Sequence, residues 1–237
     1  MKALLVRVGA DQSSGGGRWN GPIDAQTGRF VYVPIPETKP NRPGLARPYS
    51  QLSPVLAQLG QKLPGHLADQ RMHVDPDFEH LTYGDRGSKG RQIVSTLGSG
   101  DMVVFYSGLM DMTARKLVYA LIGVLAVERI DRAVDWPLSS ADWNAHTRRQ
   151  LAADADDMIV VGRASVSGRL ARCIPIGEYR DRAYRVRRDV LQEWGDISAN
   201  DGYLQRSAVF PSLLDPGRFW NWWQEQKPEL VRKNNPG

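Results

Sequence analysis

The stretch Gly100-Asp101-Met102-Val103-Val104-Phe105-Tyr106 decides the fold of this chain. Its first two residues are typical of turns, and the five that follow are of types that favour a β-strand. A second apolar run, residues 117–130, follows after a loop and contains Gly123 at a position that suits a β-bulge. The two runs predict a long hairpin in the core, in which Val103 and Phe105 face one side and their neighbours the other.

The segments on either side of this hairpin extend the sheet. Apolar patterning predicts further strands over residues 2–9, 28–36, 158–162 and 170–176. Helices are expected over residues 49–63, 140–155 and 217–223, with one more that starts at Asp75 and a short one that ends at 190–195. A turn is expected at 83–87, and an extended, proline-rich surface arm over 34–48. Because the strands have hairpin spacing, we expect an α+β fold around an antiparallel, barrel-like sheet, as one domain over residues 1–237.

The composition excludes several classes of protein. With 41% hydrophobic and 24% charged residues, the 237-residue chain is typical of a folded globular protein. Its single cysteine, Cys173, excludes an internal disulfide and has no Cys/His spacing that would form a structural zinc site. The longest apolar run, residues 117–126, is too short to cross a membrane. The chain is therefore expected to be cytoplasmic and to have no membrane partner.

The positive charge is concentrated in one segment. The net charge of the whole chain is +5, and residues 169–188 alone carry seven arginines against two acids. Such a patch favours a phosphate or another polyanion as partner, whereas a solvated face of ion pairs is the alternative. The candidate phosphate-binding residues are Arg180, Arg182, Arg185, Arg187 and Arg188.

The loop that contains glycines 15–17 invites comparison with phosphate-binding loops. A P-loop needs Gly-Lys-Ser/Thr at the start of a helix, but here Arg18-Trp19-Asn20-Gly21-Pro22 follows and begins no helix. The Gly-x-Gly at 98–100 precedes a strand, which excludes a dinucleotide fingerprint, and no Gly-x-Ser-x-Gly supports acyl transfer. Trp19 can stack on a base and Asn20 can read its edge, so the loop is either a base-contacting element or a long surface turn.

Residues 73–80 contain two histidines and three carboxylates. Such a set can bind a divalent metal or supply a general base. Asp75 and Asp77 also suit the start of a helix with Pro76 in its first turn, and this interpretation is the favoured one. We therefore assign no metal and no cofactor, and the catalytic candidates are Asp11, His73, Asp75 and Asp85.

Two family resemblances follow from these motifs. The stretch 100–106 with the apolar strand after it is similar to the central hairpin of PUA-like barrels of the EVE type, which implies a pocket for a modified base. The whole chain resembles the nucleotide modification associated domain of type three, a family of bacteria and phage. The residues that carry this resemblance are 7–11, glycines 15–17 with Asn20 and Pro22, 30–37, 83–85, 100–106 and Gln205-Arg206-Ser207. It implies the making or recognition of modified DNA bases, without a catalytic role for particular residues.

Three hypotheses of function result. The first is a module that binds nucleic acid, DNA in preference, or a nucleotide, and holds a modified or flipped base in a pocket rimmed by the 11–22 loop, the 83–85 turn and the end of the 105–106 strand. Its base-binding residues would be Arg7, Asp11, Trp19, Asn20, Tyr83, Asp85, Tyr106 and Ser107. The second is an enzyme of base modification, which requires candidate catalytic groups to converge in one cleft. The third is a protein-interaction component that uses the 34–48 arm and the aromatic residues of 219–223.

Overall fold

The computed structural model describes residues 1–205 and 208–236. Its strands are β1 (Ala3–Arg7), β2 (Pro22–Asp24), β3 (Arg29–Phe30), β4 (Ile35–Pro36), β5 (Met72–His73), β6 (Thr82–Asp85), β7 (Met102–Asp111), β8 (Leu117–Arg132), β9 (Met158–Gly162), β10 (Gly168–Pro175), β11 (Gly177–Arg180), β12 (Ala183–Val186) and β13 (Leu230–Val231). Its α-helices are α1 (Ser53–Gln58), α2 (Gly87–Thr96), α3 (Arg188–Trp194) and α4 (Pro216–Glu225). The predicted α+β class is confirmed. No described helix has the length and apolar character needed to cross a bilayer.

The predicted hairpin is the centre of the sheet. Strands β7 and β8 pair antiparallel from Met102 opposite Ala126 to Met110 opposite Leu117. The register shifts between Phe105 and Tyr106, because Ile122 is an extra residue on β8 beside Gly123. The bulge therefore lies where the glycine predicted it.

The sheet as a whole is mixed, so the expectation of an antiparallel, barrel-like sheet is wrong. Strands β1 and β2 both pair parallel with β7, while β10 and β9 pair antiparallel with β8. The described strands run in the order β13-β10-β8-β7-β2-β3, with β1 also on β7 and β9 carrying β6, and form no closed barrel. The parallel partner of β1 lies about a hundred residues away in the chain, and local patterning carries no information about such a pairing.

The two faces of β7 belong to two different cores. Val103 and Phe105 pack in one apolar cluster, whereas Val104 and Tyr106 pack in another. Helices α3 and α4 cover the second face. There Trp194, Phe219 and Trp223 are buried, and full burial of a large apolar side chain stabilises a fold by about 1.5–3 kcal/mol. The predicted alternation and the predicted helix at 217–223 are thus confirmed.

Three local predictions are wrong. Residues 83–85 form strand β6 rather than a turn, and α2 begins directly afterwards at Gly87. Residues 140–155 form turns and loops after a 3₁₀ turn at Leu138–Ser140 instead of a helix, and Thr147 Oγ1 donates to the carbonyl of Ala141 in competition with helical bonds. No helix starts at Asp75, since its carboxylate accepts a hydrogen bond from the backbone of Gly84 in β6.

Candidate functional site

A cavity of about 350 Å³ lies beside β1, β6 and β7. It gathers polar and charged side chains from segments far apart in the sequence. The residues predicted as site residues that line it are Arg7, Asp11, His73, Asp75, Tyr83, Asp85 and Tyr106. The cavity therefore brings together five of the eight base-binding candidates and all four catalytic candidates.

The floor of the cavity is a cluster of His73, Asp75 and His146. The Nε2 atoms of His73 and His146 lie 3.9 and 3.6 Å from Oδ2 of Asp75. All three side chains are at least nine-tenths buried. The two imidazole rings meet edge to face, with their centroids 5.0 Å apart.

Carboxylates hold the two histidines from behind. Glu37 Oε2 lies 2.7 Å from Nδ1 of His73, and Asp157 is hydrogen-bonded to Nδ1 of His146. Arg149 joins the two carboxylates, since its Nε donates to Glu37 over 3.0 Å and its Nη1 lies 3.5 Å from Asp157. The 34–48 segment thus supplies Glu37 to this layer, and its description as a surface arm stays a prediction.

These contacts set the protonation of the cluster. Burial lowers the pKa of His73. Burial also acts to lower the pKa of His146, but the hydrogen bond with Asp157 and the nearby negative charge of Asp75 outweigh it and raise the pKa to about 9. For Glu37, burial acts to raise the pKa, whereas the bonds from His73 and Arg149 lower it to about 2. These shifts favour a neutral imidazole at His73 and a protonated imidazole at His146 at neutral pH.

Asp75 is fixed by donors on the side away from the histidines. Its Oδ1 accepts hydrogen bonds from the backbone nitrogen of Gly84, over 2.9 Å, and from Nδ2 of Asn144, over 2.8 Å. Gly84 has no side chain for a steric reason, since a Cβ there would lie 2.5 Å from Cδ2 of His146. Strand β6 therefore passes directly behind the cluster.

The wall above the floor is aromatic and charged. Arg7 Nη2 lies 3.1 Å from Oδ2 of Asp11, which pairs the two residues across one side of the cavity. Tyr83 donates to Asp85 over 2.9 Å on the other side. Arg86, an exposed cation, lines the mouth of the cavity.

Lys89 and Phe210 also line the cavity. The Nζ of Lys89 lies 4.8 Å from the centre of the Phe210 ring, and Lys89 is half-buried. Two cations thus border the opening of a cavity whose walls are aromatic.

Other predicted site residues lie outside the cavity lining. Trp19 packs against the apolar cluster around Tyr49, and Asn20 is buried with its Nδ2 on the carbonyl of Gly108. Ser107 is also buried and lies beside Gly9. These residues support the 11–22 loop and β7, and their contact with a base stays a prediction.

The predicted arginine patch is engaged in ion pairs of its own. Arg180 and Arg185 both contact Asp201, and Arg187 contacts Asp189. None of the five candidate phosphate-binding residues, which the structure describes in full, lines the cavity: Arg180, Arg182, Arg185, Arg187 and Arg188. Their role with phosphate stays a prediction.

Two further predictions concern the end of the chain. In the motif 205–207, Gln205 lines the cavity, whereas Arg206 and Ser207 lie outside the described residues. The aromatic group at 219–223, which the protein-interaction hypothesis needs on the surface, has Phe219, Trp222 and Trp223 buried on α4.

Four of the six residues that form the cluster and its supporting layer were not predicted as site residues. They are Glu37, His146, Arg149 and Asp157. Glu37 ends the 30–37 stretch that carries the family resemblance, but no motif there or around the other three indicated a site, because these residues meet their partners only in the fold. The pairing of His73 with Asp75 was the only sequence signal of this group.

The chain matches one family model. The model described as nucleotide modification associated domain 3 covers residues 2–227 of the 237. Neither a curated protein nor a solved structure matches the chain. The match agrees with the family that the sequence motifs resemble, whereas the resemblance of the hairpin to PUA-like and EVE-type barrels is not confirmed.

Proposed function

We propose, because the chain belongs to the nucleotide modification associated domain 3 family, that it takes part in a nucleotide modification system by binding a nucleotide in the cavity beside β1, β6 and β7. The observation that carries the proposal is the combination in one cavity of aromatic walls, carboxylates and a cationic mouth. Its volume of about 350 Å³ lies within the usual range of small-molecule sites.

The walls suit a base. Tyr83, Tyr106 and Phe210 reach the lining of the cavity, and although each ring is more than nine-tenths buried, their exposed edges offer a base aromatic contact. The carboxylates of Asp11 and Asp85 can accept hydrogen bonds from exocyclic amino groups of a base. The lining therefore offers aromatic contact and edge recognition, both of which a pocket for a flipped or free base uses.

The mouth suits phosphate. Arg86 and Lys89 supply cations at the opening, where the phosphate of a nucleotide would lie once its base is inside. Among the five arginines of 180–188, Arg180 pairs with Asp201 and Arg187 with Asp189. In this proposal these five arginines bind the phosphates of a longer strand and do not hold the inserted nucleotide.

The experiment measures binding of deoxynucleoside monophosphates and of a short single-stranded DNA by the full chain, across a series of salt concentrations. We expect binding that weakens with salt and that weakens about 5–30-fold in Lys89→Gln, which removes one partly buried phosphate contact. Lys62→Gln is the matched control, because Lys62 is exposed and does not line the cavity.

Two results would overturn the proposal. One is the absence of detectable binding of every nucleotide at low salt. The other is equal loss of binding in Lys89→Gln and Lys62→Gln, which would place the contact with phosphate outside the cavity.

A further inference from the structure

We propose that His73, Asp75 and His146 bind a divalent transition-metal ion at the floor of the cavity. One ligand atom from each lies within 4.8 Å of the other two. The two Nε2–Oδ2 separations, 3.9 and 3.6 Å, are longer than hydrogen bonds. Ligand atoms bound at about 2.1 Å to one ion lie roughly 3.0–3.4 Å apart. Around a tetrahedral ion, the two separations between histidine and Asp75 shorten by about half an ångström or less, and the ligand atoms of the two histidines, which lie within 4.8 Å of each other, approach by up to about 1.4 Å.

The outer nitrogen of each imidazole is already engaged by a carboxylate. Nδ1 of His73 is paired with Glu37, and Nδ1 of His146 with Asp157. When a neutral imidazole donates from Nδ1 to a carboxylate, its Nε2 keeps the lone pair that a metal needs, and this second layer is typical of metal-binding histidines. Both lone pairs then point toward Asp75.

Asp75 is oriented in the same way. Its Oδ1 is occupied by the donors of Gly84 and Asn144, while its Oδ2 faces both imidazoles. The side chain is only 4% exposed. Water cannot hydrate this oxygen well, so a cation in contact with it is favoured.

The charge of the cluster calls for a divalent ion. Glu37, Asp75 and Asp157 contribute three negative charges, and Arg149, which contacts two of them, contributes one positive charge. When an ion displaces the proton of His146, both imidazoles are neutral and these groups carry a net charge of −2, which is costly to bury. One divalent cation neutralises it.

The ligand set narrows the kind of ion and its role. Two imidazoles and one carboxylate favour ions such as Zn²⁺, Fe²⁺ or Co²⁺ over Mg²⁺ and Ca²⁺, which prefer oxygen ligands. Three protein ligands leave at least one coordination position, as in catalytic sites. Because all three ligands line the cavity, that position faces the space proposed for the nucleotide. The ion site rests on its own geometry and does not require nucleotide binding.

The test begins with the full chain after removal of metal by a chelator. Co²⁺ is titrated and followed by its visible absorption, and Zn²⁺ is titrated in competition with a coloured chelator. We expect one equivalent of either ion per chain, with a Co²⁺ spectrum typical of nitrogen and oxygen ligands.

The four histidines of the chain provide matched variants. His73→Gln and His146→Gln are expected to weaken Zn²⁺ binding at least ~100-fold, because each removes a ligand. His66→Gln is the control and should bind as the wild type, since its Nε2 lies 2.9 Å from the carbonyl of Gly17, away from the cavity. Asp157→Asn keeps the size of the side chain and should weaken binding about 10–100-fold.

Circular dichroism checks that each variant is folded. If a histidine variant does not fold, the affinity of Asp157→Asn and the Co²⁺ spectrum of the wild type test the proposed metal site. The proposal is overturned if the folded wild type binds no ion at micromolar concentrations, if His66→Gln loses as much affinity as His73→Gln, or if Asp157→Asn binds as the wild type does. Nucleotide binding is measured on metal-free protein, so that failure of one proposal is distinguishable from failure of the other.

Discussion

Replacing Arg148 by Met should destabilise the protein strongly by leaving a buried carboxylate without its cation. The Arg148 and Asp77 side chains are 3% and 1% exposed and form an ion pair. Asp77 also accepts hydrogen bonds from Nδ2 of Asn234, over 3.0 Å, and from the backbone of Glu79, over 3.1 Å. Removing one partner of a buried pair costs about 3–5 kcal/mol, and the remaining donors place this case near 3 kcal/mol.

The double variant Arg148→Met, Asp77→Asn is the matched control. It removes the charge along with its partner, so its free energy of unfolding should recover to within about 1–2 kcal/mol of the wild type. Recovery is favoured because Nε and Nη1 of Arg148 have no hydrogen-bond partner among the described residues. The native arginine is therefore incompletely satisfied.

The measurement is urea unfolding, followed in parallel by tryptophan fluorescence and circular dichroism so that coincident transitions justify a two-state analysis. A loss below about 1 kcal/mol in Arg148→Met, or a double variant no more stable than the single one, would refute the reasoning.

The ion pair of Arg148 and Asp77 also predicts how the free energy of unfolding depends on pH. Burial acts to raise the pKa of Asp77, but His80, Arg148 and Asn234 outweigh it, and the net pKa is lowered. A carboxyl whose pKa is lower in the folded state stabilises the fold above its unfolded pKa of about 3.9, and this contribution is lost as the pH falls below that value. Arg148→Met should lose less stability on acidification than the wild type, which the urea series repeated between pH 3 and pH 7 would measure.

Three other variants or probes follow from the structure. Gly84→Ala should cost about 1–3 kcal/mol in urea unfolding and weaken Zn²⁺ binding, because its Cβ would lie 2.5 Å from the His146 ring; unchanged metal affinity would contradict this. The thiol of Cys173, whose pKa burial raises to about 12, should react with a thiol reagent more than ~100-fold more slowly in the native than in the urea-unfolded protein. Tyr106→Phe leaves the carbonyl of Leu204 without its 2.8 Å donor and should cost about 1–3 kcal/mol, which unfolding of the variant at equal pH would test.

The sequence predicts the sheet's centre well because the relevant information there is local. Strand alternation in 102–106 assigns each side chain to its face, and Gly123 marks the bulge. The pairing of β1 with β7 is different, since the two strands are parallel and about a hundred residues apart. Their register depends on tertiary packing, and for this reason the antiparallel prediction failed.

In the candidate site, too, the features that depend on sequence neighbours were predicted and those that depend on distant contacts were not. His73 and Asp75 are neighbours in sequence and were recognised as candidates, although a helix start was the favoured interpretation of the acid. That interpretation failed because Asp75 finds donors in Gly84 and Asn144, which come from a strand and from a segment predicted as helix. A carboxylate held by such distant donors looks, in the sequence, like any capping residue.

The segments that carry the cluster explain why its other residues were not predicted. Glu37, His146 and Asp157 lie outside the long strands, in loops or next to a two-residue strand, and their side chains form the hydrogen bonds of the cluster. In such stretches Asp, Asn and Thr are expected as turn formers, so their composition does not distinguish a loop from a ligand shell. Burial of the side chains distinguishes a ligand shell from an ordinary loop. A carboxylate in a loop is normally hydrated, whereas the side chain of Glu37 is fully buried against His73 and Arg149. Burial of a carboxylate is costly unless the group is paired. The pairing of Glu37 with His73 and Arg149 therefore stabilises the floor of the cavity.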